Sequence, residues 1–143
     1  MRAVPVTALR VWVLAAGTLP WALALARVRH ADLVLAFHTL CHQLPERTLS
    51  ILGAPMLVCS RCAGVYAGVA LGTISPLPAR WLPHAPRLLA AAAALMLLEV
   101  AMQDLGLYAV WHAARLGTGL ALGWSASAWM FRAIAPRNSD AWK

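Results

Sequence analysis

Three cysteines and two histidines stand close together in an otherwise apolar chain: His38, Cys41 and His42, then, after a short link, Cys59 and Cys62. Thiolate and neutral imidazole are preferred ligands of zinc and other soft or borderline metals, and a Cys-x-x-Cys spacing lets two thiolates reach one ion from a single turn. Cys41, Cys59 and Cys62 supply three thiolates in this reading. Either His38 or His42 supplies the fourth ligand of a closed set of three cysteines and one histidine, with zinc the expected ion and iron the alternative. The same spacing also describes a redox dithiol. Cys59 and Cys62 then open a helix whose positive dipole end, with Arg61, stabilises a thiolate; Cys41 is the exchanging partner in a membrane thiol-disulfide oxidoreductase. A third reading makes the cysteines small buried apolar residues of a non-catalytic assembly subunit. Whether the protein is an enzyme is left open by these residues.

The elements that must position this stretch are those of a membrane protein. Of 143 residues, 62% are hydrophobic and only 12% charged, about half the charge of an ordinary soluble domain. The fold class expected is all-α, a four-helix transmembrane bundle forming a single domain. Its spans are Leu9 to Ala26, Cys62 to Ala79, Leu88 to Gln103 and Leu107 to Phe131. Pro20, Trp21 and the basic Arg27-Val28-Arg29 that follow the first apolar run make a poor cleavage site, so a retained helix is expected there rather than a signal peptide. Between the first two spans, Asp32 caps a helix over Leu33 to Leu44 that Pro45 stops. About 12 residues are too few to span a bilayer, so this helix is interfacial or re-entrant. Along it His38, Cys41 and His42 fall at i, i+3 and i+4, on one face.

Gly53 and Pro55 break the chain before Cys59. Gly64, Gly68 and Gly72 then recur every four residues, a ridge of small residues that admits a second helix closely. In the last span Tyr108, His112, Arg115, Gly119 and Gly123 share a stripe, while Glu99 and Gln103 share a face at the end of the third. Ionisable groups inside apolar helices are costly enough to make Glu99 and Arg115 functional candidates; the alternative is a Glu99 to Arg115 ion pair that joins the last two helices. The seven tryptophans mostly mark span ends, as interfacial anchors do.

The net charge of +7 does not indicate nucleic acid, because the basic residues are scattered in ones and twos rather than gathered on one helix. They fit anchoring to the lipid bilayer, and they set a topology. With both termini cytoplasmic in the cell's inner (plasma) membrane, that side holds Arg2, Arg10, Arg80, Arg87, Arg132, Arg137 and Lys143, against Arg27, Arg29, Arg47 and Arg61 outside. The Cys/His stretch, the Asp104 turn, and the polar ends of the third and fourth spans then meet at the outer level. The glycine stripes are read as helix packing, and a homo-oligomer or a membrane partner protein is left open.

The run Cys41-His42-Gln43-Leu44-Pro45-Glu46-Arg47-Thr48, followed by Pro55 and Val58-Cys59-Ser60-Arg61-Cys62-Ala63-Gly64-Val65-Tyr66-Ala67-Gly68, resembles the signature of the prokaryotic membrane proteins grouped as domain of unknown function 2085. Gln103, Gly106 and Arg115-Leu116-Gly117-Thr118-Gly119 are similar to its second half. Glu99-Val100 stands where that family has aspartate-glycine, so the carboxylate is kept and the glycine is not. The resemblance covers about residues 35 to 125 and implies a multi-pass membrane protein, without an activity.

Overall fold

The computed structural model describes residues 6–75, 78 and 80–134, Leu82 in backbone only. The basic Arg2, the Pro76–Ala79 end of the second expected span apart from Pro78, and the polar tail with Arg137, Trp142 and Lys143 lie outside them. The elements are α1 (Val6–Leu25), α2 (Ala31–His38), β1 (Thr48–Ile51), β2 (Ala54–Cys59), α3 (Ser60–Ile74), α4 (Ala85–Asp104) and α5 (His112–Ile134).

The centre of the molecule is the α3–α5 pair, with α1 packed on the free side of α3 and α4 on α5. Gly64 lies against the carbonyl of Leu116 and Gly68 against that of Leu120, so the two helices run parallel. In return, Gly119 lies against the carbonyl of Arg61 and Gly123 against that of Val65, and Gly72 closes the far end on Trp124 and Ser127. The expected small-residue ridge is therefore met by a second one, and backbone touches backbone along the seam. A methyl group at Gly123 would occupy the position of the Val65 carbonyl oxygen. Gly123→Ala is expected to destabilise the fold by about 1–3 kcal/mol, the usual cost of overpacking, read as an earlier midpoint in denaturant-induced loss of helicity. Helix α1 runs antiparallel to α3, with Gly17 on Ala70 and the Trp21 indole N–H donating to the Ala63 carbonyl at 3.1 Å.

Among the described residues two helices, α1 and α4, are long and apolar enough to cross a membrane, with mean hydropathies of 1.5 and 1.7. Their outward faces are bare: Trp12 is 74% exposed and Leu97 66%. The other two expected spans differ in kind. Helix α3 has 15 residues, about 22 Å against a hydrocarbon core of about 30 Å. Helix α5 has 23 residues but carries buried Arg115, Thr118, Ser125 and Ser127, because it faces protein rather than lipid. It begins at His112, not Leu107. Gly106, at φ +71°, ends α4 in a Schellman turn, with the Leu107 N–H returning to the Met102 carbonyl at 3.0 Å, and Tyr108 stands in the loop that follows.

The link before Cys59 is an antiparallel hairpin, not a simple break. Ile51 pairs with Ala54 and Thr48 with Cys59, around a two-residue turn with Leu52 at φ +51° and Gly53 at φ +79°. The Arg27 guanidinium donates to the Leu52 carbonyl at 3.1 Å and ties the turn to the end of α1. Met56, Leu57 and Val58 are buried in succession because α1 and α2 both pack on β2.

Candidate metal centre

The hairpin and the start of α3 deliver Cys59 and Cys62, while the loop after α2 delivers Cys41. That loop is not the helix expected. Helix α2 stops at His38, the Phe37 carbonyl accepts from both Leu40 and Cys41, and Gln43 takes the left-handed conformation at φ +51°. Pro45 holds Leu44 extended and opens a short 3-10 turn, Pro45–Arg47. His38, Cys41 and His42 consequently share no helical face. The Gln43 side chain instead latches the loop back, donating to the Val34 carbonyl at 3.0 Å. The Ser60 hydroxyl donates to the Arg47 carbonyl at 3.2 Å and joins the turn to α3.

The result is a compact thiol cluster. The sulfur atoms of Cys41, Cys59 and Cys62 all lie within 4.8 Å of one another, and none is in a disulfide. Cys41 is buried, and the other two are half-buried. The Cys59 backbone N–H donates to the Cys41 sulfur at 3.2 Å, a bond that stabilises negative charge there. Hydrogen bonds from Cys41 and then Cys62 hold the Cys59 thiol far below the usual thiol range; burial opposes them and is outweighed.

A cavity of about 390 Å³ opens beside the cluster, lined in part by the three cysteines, His42, Arg61 and Arg115. His42 is exposed at its edge, whereas His38 is exposed at the end of α2 and does not line it. Below the cavity the charges do not make the Glu99 to Arg115 pair. Arg61 binds Glu99 through two nitrogens, the Nε at 3.0 Å, and the Tyr108 hydroxyl donates to the other carboxylate oxygen at 3.2 Å. Arg115 bonds to the Gln103 side-chain oxygen, not to Glu99. The parallel seam explains the exchange: Arg61 lies level with Gly119, a turn deeper than Arg115, and Glu99 lies a turn deeper than Gln103. Each arginine meets the partner at its own depth. His112 is half-buried in the first turn of α5 and does not line the cavity.

Leu40, Gln43, Leu44, Arg47 and Met96 also line the cavity and were not among the expected site residues, and Arg47 also reaches Asp104 at 3.7 Å. Gln43 ties the loop that carries Cys41 back to α2 through the Val34 carbonyl. Of these only Gln43 and Arg47 carried a signal, as members of the Cys-His-Gln and Pro-Glu-Arg runs.

Fold and site define a small, mostly helical protein of membrane type, with three thiols and paired charges at one end of its bundle. The chain belongs to the family described as predicted membrane protein (DUF2085), whose model matches residues 41–129. It is 45% identical over 42 residues to an uncharacterized protein of Methanocaldococcus jannaschii, covering 29% of this chain and 27% of that one. An uncharacterized protein of Methanothermobacter thermautotrophicus is 50% identical over 34 residues, 24% of this chain and 31% of the relative. The chain thus spans about a third or less of the curated relatives it matches. No solved structure matches it.

Proposed function

We propose that the protein is an integral membrane protein that holds one metal ion, zinc in the first instance or iron, on Cys41, Cys59 and Cys62, with His42 as fourth ligand. The observation that carries this reading is the approach of the three sulfur atoms to within 4.8 Å of one another from two separate segments. Free thiols seldom gather in threes without a ligand to share. His42 is favoured over His38 because it lines the same cavity. The site lies at the outer face of a prokaryotic plasma membrane, with both termini cytoplasmic, as the distribution of arginines supports.

The test is elemental analysis by mass spectrometry on detergent-purified protein, with thiols counted under non-reducing denaturing conditions. About one zinc or iron per chain with three free thiols supports the metal centre. His42→Ala is then expected to weaken metal retention against a chelator by about tenfold or more, and His38→Ala to leave it unchanged. Equal effects of the two would remove His42 from the ligand set.

The position of Cys59 as the N-cap of α3, with its sulfur within 4.8 Å of that of Cys62, favours one second reading, a thiol-disulfide oxidoreductase using Cys59 and Cys62. That reading requires no metal, one disulfide and one free thiol in the same measurement. An assembly subunit requires neither metal nor a cycling dithiol.

A further inference from the structure

The metal centre leaves most of the adjoining cavity without a purpose. At about 390 Å³ it is several times larger than one ion needs, and three arginines, Arg47, Arg61 and Arg115, are among the residues that line it. Two of them are matched by carboxylates. Arg61 is neutralised by Glu99, and Arg47 is within 3.7 Å of Asp104.

Arg115 is different. It is 1% exposed, among the largest fully buried side chains of the molecule, yet among the described residues no carboxylate meets it. Its one side-chain partner is the neutral Gln103, and its Nε has none. A buried guanidinium with an unused donor is costly to keep, and its planar fork matches the two oxygens of a carboxylate or phosphate. We propose that this cavity binds a small oxyanion, a phosphate or carboxylate group, with Arg115 as the principal ligand and Arg47 as a second contact at the rim.

Anion binding beside the thiols gives the site a substrate class, an anionic molecule presented to the metal or thiolate. The proposal rests on the metal reading only for that use of the anion; the arginine geometry stands without it. The competing account makes Arg115 the counter-charge of a metal cluster held by three thiolates, with no external ligand.

Titration calorimetry on the full chain in non-ionic detergent, with inorganic phosphate as the probe, separates the two. Saturable binding is expected, weakened about tenfold or more by Arg115→Lys, which keeps the charge and loses the fork, and several-fold by Arg47→Gln. Arg47 lies partly exposed at the rim, so its variant reports on the cavity even where a buried Arg115 variant fails to fold. A parallel arm uses nanodiscs with and without phosphatidylglycerol. Binding of free phosphate identifies a soluble anion as the source, and a response to phosphatidylglycerol alone, lost in Arg47→Gln, identifies a lipid headgroup.

Metal content is measured on every sample, before and after chelation. Anion binding in protein that is purified without metal upholds this inference and overturns the metal reading, and anion binding that survives chelation of a metal-loaded sample upholds this inference and leaves the metal reading standing. Retained metal with no response to either probe overturns the anion site and leaves Arg115 as a counter-charge.

Discussion

Cys41→Ser, Cys59→Ser and Cys62→Ser are each expected to abolish stoichiometric metal, measured as metal per chain after dialysis against a weak chelator. The three thiolates are not interchangeable in origin, since one comes from the loop after α2 and two from the hairpin and α3. They are equivalent in consequence. A hydroxyl at the same position is a far weaker ligand for zinc than a thiolate, so losing one sulfur of three should weaken affinity by at least about a hundredfold. Metal affinity also falls with falling pH, because protons compete for each thiolate. Cys41→Ser carries a further expected effect. The Cys59 backbone N–H loses its sulfur acceptor, and the loop is no longer clamped to the hairpin, so proteolysis between His38 and Arg47 should quicken. Stoichiometric metal in all three variants would refute the ligand assignment.

The second large effect concerns Glu99, which is 6% exposed and accepts from both Arg61 and Tyr108. Glu99→Ala leaves the Arg61 guanidinium nearly buried with no carboxylate, and removing one partner of a buried pair costs about 3–5 kcal/mol. Arg61 lies between Cys59 and Cys62 in sequence, so the thiol cluster is expected to loosen with it and metal retention to fall. Unfolding in detergent, followed by helicity, should show the lowered midpoint. The double change Arg61→Met with Glu99→Leu removes both charges and fills similar volume, and should recover much of the lost stability. A double variant no more stable than Glu99→Ala would show that the pair contributes more than its charge balance.

What could be read without coordinates was whatever depends on residue type and local period. The thiol cluster was legible because three cysteines in a short stretch of an apolar chain are informative wherever the backbone goes. The glycine ridges were legible because every-fourth-residue spacing puts small residues on one helical face. The pairing of Arg61 with Glu99 was not, because it depends on the depth at which α3 slides along α5, and periodicity is silent on depth. The hairpin was missed although its signal was present: Leu49-Ser50-Ile51 and Met56-Leu57-Val58 flank Leu52-Gly53, two short apolar runs around a glycine turn. The extent of α2 was overrun because the apolar pattern continues past His38, while the left-handed Gln43 that ends any helix there is held by a tertiary hydrogen bond.

The parallel α3–α5 seam also bears on how the chain is made. Helix α3 is short and glycine-faced, and the surface it needs belongs to α5, whose end emerges about sixty residues after its own. At a synthesis rate of roughly 5–20 residues per second, that is a wait of about 3–12 s. By its end α1 and α4, the two helices among the described residues that are long and apolar enough to cross a membrane, have both been made. The α3–α5 seam is thus among the last interfaces of the bundle to close, after the contact of α3 with α1 has already been possible.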